Sequence, residues 1–326
     1  MKLPFFTVVE DDFEAVNQLI LNNLSSHVPL VEEISEYLID AGGKRLRPLL
    51  VLLAAKSVGY NSRQHISLAA IIEFLHTAML LHDDVVDGSE LRRGRKTVNA
   101  SWGNPASVLV GDFLHSRAFE MMVEIGNLRV MEVLSQATNT IAEGEVMQLA
   151  NIGNCALSEA EYREVIRCKT ALLFEAASHT GALLASQQVS AIDAEQVESM
   201  RRFGLHFGLA YQLLDDWLDY RGNSESMGKN VGDDLAEGKL TLPLIYALEN
   251  ADATDQAIVR DAIDSKNVDM LGDILRIVDQ CGALAYTRTC AQREIETALH
   301  YLNQIPDNDY QQALMQLSHY SLSRLG

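Results

Sequence analysis

The sequence is short of several things, and each shortage excludes something. Only 6% of its 326 residues are aromatic and only 6 are proline, while Ala and Leu are plentiful; that balance disfavours sheets and favours helices. The four cysteines, Cys155, Cys168, Cys281 and Cys290, show neither CxxC nor His-paired spacing. They read as free thiols in a reducing compartment, not as a disulfide framework. Positive charge is scarce as well: 26 Lys and Arg stand against 45 Asp and Glu, a formal net charge of −19. Such acidity argues against nucleic acid and an anionic membrane surface as main partners. Any anionic ligand must then be held by a local cluster of cations or by metal ions. No stretch reads as the ~18–20 consecutive apolar residues of a spanning helix. The opening "MKLPFFTVVEDDFEAV" meets acids too soon for a secretory signal, so a cytoplasmic protein is expected.

What is present is apolar periodicity of the helical kind. "DDFEAVNQLILNNL", "PLLVLLAAKSVG", "SLAAIIEFLHTAMLLHDD", "ASVLVGDFLHSRAFEMMVEIG", "RVMEVLSQATNTIAEGEVMQLAN", "EAEYREVIRCKTALLFEAASHTGALLA" and "ESMRRFGLHFGLAYQLLDDWLDY" all place apolar residues at i, i+3 and i+4. Turn signals at Gly42-Gly43, Gly59-Tyr60-Asn61 and Gly103-Asn104-Pro105 separate several of them. No β-branched run suggests a sheet. Segment 68–82 is apolar around most of its circumference and reads as a central helix. With no linker or repeat, the expectation is a single all-α domain over residues 1–326, with roughly ten or more helices.

Two acidic motifs end two of these apolar segments. Asp83, Asp84 and Asp87 fall at about 0, 100 and 40 degrees around a helix and so share one face within a turn. Asp215, Asp216 and Asp219 repeat the spacing. Clustered carboxylates repel, and the C-terminal end of a helix is the unfavourable end for anions. A hard cation resolves the cost: Mg²⁺ takes a few carboxylates together with waters and phosphate oxygens. One such motif alone is more often a solvated helix end, but two with equal spacing point to a metal site.

Cations gather near both motifs. "GGKRLRP" brings Lys44, Arg45 and Arg47 to a Gly-Gly turn, and "RRG" brings Arg92 and Arg93, whose forks suit phosphate. "CKTALLF" carries Lys169 and Thr170, and the Gly-rich "GKNVGDDLAEGKLTLP" carries Lys229 and Lys239. Each alone reads as surface charge; together, in an acidic protein, they imply two anion sites and a shared metal centre, which two diphosphates would satisfy. The phosphate-binding glycine patterns of nucleotide folds are absent. His76 and Gln212 lie near the motifs, but a lone His or Gln in an apolar helix is more often a satisfied core group, and residue chemistry leaves both open. Glu143 and Glu145 read as local pairing or helix-end residues, and Trp102 and Trp217 as core.

The GGKRLRP segment, the paired DDxxD motifs, Arg92-Arg93-Gly94, Lys169-Thr170 and the loop from Gly228 to Pro243 together resemble the trans-type polyprenyl diphosphate synthases. The resemblance runs from about Leu30 to Asn250 and looks strongest to the bacterial octaprenyl-forming members, which supply the ubiquinone side chain. It implies an all-α fold of the isoprenoid synthase type around a central cavity, and a homodimer. It implies Mg²⁺ held by Asp83, Asp87 and Asp215, with Asp84, Asp216 and Asp219 in support. Arg92, Lys169, Thr170, Gln212, Lys229 and Lys239 would meet an allylic diphosphate. Lys44, Arg47, His76 and Arg93 would meet isopentenyl diphosphate. Asp83, Asp87, Asp215, Lys169 and Lys229 would carry the ionisation step. A peripheral membrane contact would serve product release.

Short-chain relatives resemble one another in placing aromatic residues four and five positions before the first aspartate. Here those positions are Met79 and Ala78, neither a rigid plug, so a long product is expected, octaprenyl or nonaprenyl. Segment 68–83 offers roughly 22 Å of wall at the helical rise. Met121 and Met122 read as core more readily than as a tunnel floor. The rival readings are a shorter-chain, geranylgeranyl-type synthase, a class I terpene cyclase and a non-catalytic partner subunit. A cyclase is expected to lack the second DDxxD, and a partner subunit to have lost one or both motifs; both are intact here.

Overall fold

The computed structural model describes residues 3–40, 42–92, 94–186, 193–221 and 232–323. Its helices are α1 (Pro4–Thr7), α2 (Glu10–Asn23), α3 (Pro29–Asp40), α4 (Leu46–Ser57), α5 (Gln64–Val86), α6 (Val98–Trp102), α7 (Asn104–Ile125), α8 (Leu128–Ala150), α9 (Glu159–Ile166), α10 (Leu172–Ser186) and α11 (Ala194–Arg221). After them come α12 (Asp233–Glu237), α13 (Leu242–Asn250), α14 (Ala253–Ser265), α15 (Leu271–Gln280), α16 (Ala283–Leu302) and α17 (Asp309–Ser323). The protein is all-α, as its periodicity predicts. It forms two compact units. One comprises Met1–Thr138, Leu173–Gly204 and Leu299–Leu317; the other comprises Asn139–Leu172, Leu205–Ala298 and Ser318–Gly326.

In the first unit, α5 is the central helix expected from its all-round apolarity. Leu68, Ala69, Ala70, Ile71, Ile72 and Leu75 are each fully buried, and α4 contributes an unbroken buried run from Leu49 to Ala55. Each large aliphatic side chain so buried stabilises the fold by about 1.5–3 kcal/mol. The expectation that no segment approaches a membrane span needs correction here. By length and composition α5 would pass as a span, yet most of its apolar window is covered by protein. The chain enters α4 through Gly42 (φ 62°) and Arg45 (φ 43°), two left-handed residues that turn it sharply after α3.

A second correction concerns strands. Residues Leu91–Arg92 (β1) and Arg95–Lys96 (β2) form a minimal antiparallel hairpin, with Leu91 opposite Lys96 and Arg92 opposite Arg95. Two residues per strand are too few for alternation to register in a sequence. The hairpin is nonetheless tied down. Tyr37 Oη donates to the Lys96 carbonyl at 2.5 Å, and the Arg95 guanidinium lies 5.0 Å from the Tyr37 ring centre. Trp102, expected in the core, instead packs edge-on against Tyr37 and donates from Nε1 to Glu33 at 3.3 Å.

The segment that reads as one long helix over 159–185 is interrupted. α9 ends at Ile166 and residues Arg167–Ala171 form a π-helical turn. Such turns reposition side chains by widening the backbone and recur at functional sites; this one carries Lys169 and Thr170. Two glycines admit it. A Cβ on Gly144 would lie 2.7 Å from Cys168 Cβ, and one on Gly208 would lie 2.6 Å from the Ala171 Cα. Gly208→Ala therefore forces backbone apart from backbone. It is expected to cost about 2–3 kcal/mol of stability, read from urea or thermal unfolding.

Residues 251–326 carry no motif but have a structural task. Val259, Ile263, Ile274, Ile277, Val278 and Ala291 join Leu213, Leu214, Trp217 and Leu218 in one buried cluster. They form the bed on which the second aspartate helix lies. All four cysteines are free thiols.

Candidate active site

In the first unit the aspartate motif occupies the last turn of α5. Asp83 and Asp87 are half-buried, whereas Asp84 is turned inward and only 4% exposed. Its Oδ1 accepts from Arg92 Nε at 2.9 Å and from Arg92 Nη2 at 2.7 Å. The Asp84 carbonyl, at the end of the helix, accepts from Ser89 N–H at 3.0 Å and from Asn99 Nδ2 at 3.1 Å. Helix end and hairpin are thus locked together through one residue. Burial by itself would lower the Arg92 pKa, but the hydrogen bonds and charge of Asp84, with the charges of Asp83 and Asp87, outweigh it and hold the guanidinium above its ordinary value. Arg92 is fully cationic beside the motif.

Arg47 and His76, unrelated by spacing, meet in this unit: Arg47 Nη1 and His76 Nε2 are 3.1 Å apart. The Arg47 guanidinium also stacks over the Phe174 ring, 4.0 Å from its centre. Lys44 is exposed on the turn before α4, while Arg45 is directed instead to the Asn17 side chain. A cavity of about 90 Å³ opens beside these groups, its lining including the polar His76, Arg92 and Arg95 and the apolar Leu24, Leu38 and Leu80. Ala78 is buried, with its carbonyl against α7 at Gly111, and Met79 is half-buried one turn from Asp83. Met121 and Met122 are core residues.

The second unit repeats the plan with different partners. On α11, Asp215 is half-buried and Asp216 is almost fully buried. Both oxygens of Asp216 are engaged: Tyr162 Oη donates to Oδ2, and Gln212 Nε2 donates to Oδ1 at 2.7 Å. The Gln212 carbonyl in turn accepts from Thr170 Oγ1 at 2.8 Å. Burial first, then the charge of Asp234, push Asp216 well above the usual carboxylate range, against the two hydrogen bonds that favour its anion. Burial followed by the neighbouring Asp216 likewise raises the Tyr162 phenol, which stays protonated and donates. Asp219 is buried and its Oδ2 accepts from the Asp234 N–H at 3.3 Å, at the start of α12. Lys169 Nζ is held by Glu145 at 2.5 Å and Gln148 at 2.7 Å, so Glu145, expected to pair locally, instead meets a predicted site residue 24 positions on, while Glu143 does pair locally, accepting from Asn139 Nδ2 at 3.0 Å. Lys239 pairs with Glu237 at 2.5 Å. Arg93 and Lys229 lie outside the described residues.

Both motifs therefore divide in the same way. The middle aspartate faces inward and holds a neighbouring donor, while the first aspartate of each is half-buried. Among the described residues no group of three or more His, Cys, Asp or Glu side chains is arranged to hold a metal ion alone. Mg²⁺ takes a few hard carboxylate oxygens together with waters and phosphate oxygens. Asp83 and Asp87, one helical turn apart, supply hard oxygens of the required kind. Sequence reading had no signal for Tyr162, Gln148 or Tyr37, since each reaches a site residue only through the fold.

An all-helical protein with two such aspartate-bearing helices is the architecture of isoprenoid chain synthesis, and comparison with known proteins agrees. The profile of the polyprenyl synthetase family matches residues 28–280, and the chain belongs to that family. It is 45% identical over 314 residues to the octaprenyl diphosphate synthase of Escherichia coli, covering 96% of each chain. It is likewise 45% identical to an all-trans-nonaprenyl-diphosphate synthase (geranyl-diphosphate specific) of Rhodobacter capsulatus, over 99% of this chain and 98% of that one. A polyprenyl synthase from Caulobacter crescentus, crystallised with calcium and isoprenyl diphosphate, superposes with a TM-score of 0.94 at 42% identity, covering 98% of this chain and 97% of that one.

Proposed function

We propose that this chain condenses isopentenyl diphosphate with an allylic diphosphate, farnesyl or similar, to make octaprenyl or nonaprenyl diphosphate for the ubiquinone side chain. The observation that carries the reading is the division of labour within both motifs. Inward aspartates orient Arg92 in the first unit and Gln212 with Thr170 in the second, and the remaining carboxylates can serve a metal. The family match spans both compact units, which supports treating residues 1–326 as one synthase domain.

Asp83, Asp87 and Asp215 would hold Mg²⁺, with Asp84, Asp216 and Asp219 fixing their surroundings. When bound, Mg²⁺ would neutralise charge on the departing diphosphate. The Caulobacter relative holds calcium and isoprenyl diphosphate, which supports a divalent metal here. Arg92, Lys169, Thr170, Gln212 and Lys239 would bind the allylic diphosphate, with Lys229 added from outside the described residues. Their positive and polar ends favour cleavage of the C–O bond, in which the electron pair leaves with diphosphate and an allylic cation remains. Lys44, Arg47 and His76, with Arg93, would hold isopentenyl diphosphate so that its double bond attacks that cation; orientation supplies much of the rate. The proton then lost passes to the released diphosphate. Water must stay out, since it would quench the cation. The half-buried Met79 wall would accept the growing chain.

Val108, Leu109 and Val123 are exposed apolar side chains on α7 that a homodimer would cover. Cytoplasmic residence and a peripheral membrane contact for product release complete the proposal.

The test is one incubation with farnesyl diphosphate, isopentenyl diphosphate and Mg²⁺, products being sized by mass spectrometry. A ladder ending near eight or nine units, abolished by a chelator and restored by added Mg²⁺, is expected. A cyclic hydrocarbon would replace the synthase by a cyclase, and no product from folded protein would indicate a partner subunit.

A further inference from the structure

Tyr162 stands outside every motif, yet it is the group that closes the second one. Its ring is buried in the cluster beneath α11 and its hydroxyl donates to Asp216. Asp216 is 2% exposed, so its two oxygens depend on internal donors, and among the described residues they have one each: Tyr162 and Gln212. The arrangement has a direction. Because Asp216 accepts from the Gln212 amide nitrogen, the Gln212 carbonyl is left to accept from Thr170, on the π-helical turn. The chain Tyr162–Asp216–Gln212–Thr170 thus runs from the apolar bed of the unit to two side chains that reach the site.

We infer that Tyr162 is a positioning residue for the allylic diphosphate, acting through Asp216 to set the Gln212 amide and the Thr170 hydroxyl. The inference rests on the proposed synthase reading and deepens it. Without the phenol, Asp216 Oδ2 is a buried acceptor lacking a donor, and the carboxylate gains by rotating toward another. Any rotation pulls Oδ1 from Gln212, whose amide is then free to turn away from Thr170. The side chains meant for the diphosphate lose their orientation before the ligand arrives.

The measurement is calorimetric binding of farnesyl thiodiphosphate, an analogue that resists ionisation, in the presence of Mg²⁺, alongside steady-state kinetics. Tyr162→Phe keeps the ring and its packing, and circular dichroism verifies the fold. Its Kd for the analogue and its KM for farnesyl diphosphate are expected to rise about tenfold, with the KM for isopentenyl diphosphate unchanged. Tyr286→Phe, which removes another hydroxyl–carboxylate bond in the same unit, to Glu159 at 2.8 Å, is the control and should shift neither. Thr170→Val provides the second variant. If Tyr162 acts through the chain, the two substitutions together should weaken binding by less than the product of their separate effects. Unchanged binding in folded Y162F, an equal rise for both substrates, or full additivity with Thr170→Val would overturn the inference. Wild-type turnover is read separately: normal turnover with unaltered Y162F binding removes only the role of Tyr162, whereas an inactive wild type removes the synthase reading and the inference with it.

Discussion

Asp83→Ala is expected to lower turnover by about 10²–10³-fold while the protein remains folded. Asp83 is half-buried at the last turn of α5, where a carboxylate opposes the helix dipole, which offsets part of the stability lost on removing it. Its value lies in the metal it would hold against the leaving diphosphate. The neighbouring aspartate makes the contrast. Asp84→Ala takes the carboxylate away from both Arg92 nitrogens and leaves a half-buried guanidinium without its counter-charge. That variant is expected to lose about 1–3 kcal/mol of stability as well as activity. Thermal melting and turnover, measured together, separate the two roles. Retained turnover in Asp83→Ala would refute the metal assignment; unaltered stability in Asp84→Ala would refute the anchoring one.

Met79→Phe is expected to convert a long-chain product into a short one. Met79 lies one turn before Asp83, about 6 Å along the helix axis, so a rigid ring there would block the path near the diphosphate end. Methionine can yield to a growing chain because it has three rotatable bonds; phenylalanine cannot. The neighbouring Ala78 is a poorer test. It is buried with its carbonyl against α7 at Gly111, so enlarging it would strain the helix pair before it met any product. Mass spectrometry of the product ladder decides the matter. A distribution ending at the wild-type length would place Met79 outside the path of the chain.

The two readings draw on different kinds of information. The aspartate spacing, the α5 helix and the GGKRLRP turn were legible because each is local. Residues one turn apart share a face wherever a helix forms, and a Gly-Gly turn needs no partner. The same locality explains the failures. A π-helical turn has the same apolar periodicity as the helix it interrupts, so Arg167–Ala171 gave no signal; Gly144 and Gly208 account for it only once they lie against it. The β1–β2 hairpin was too short to alternate. The inward turn of Asp84 and Asp216 could not be read from motifs in which all three aspartates look alike.

By itself, then, the sequence determined the helices and the two carboxylate clusters, since these follow from composition and from spacing within a turn. Only the tertiary structure decided which carboxylates stay half-buried and which turn inward to hold a donor. That choice rests on Arg92, eight residues beyond Asp84, and on Tyr162, fifty-four residues before Asp216. Such distances along the chain are closed by burial of apolar side chains, which is indifferent to motif, and the polar partners are brought together as a consequence.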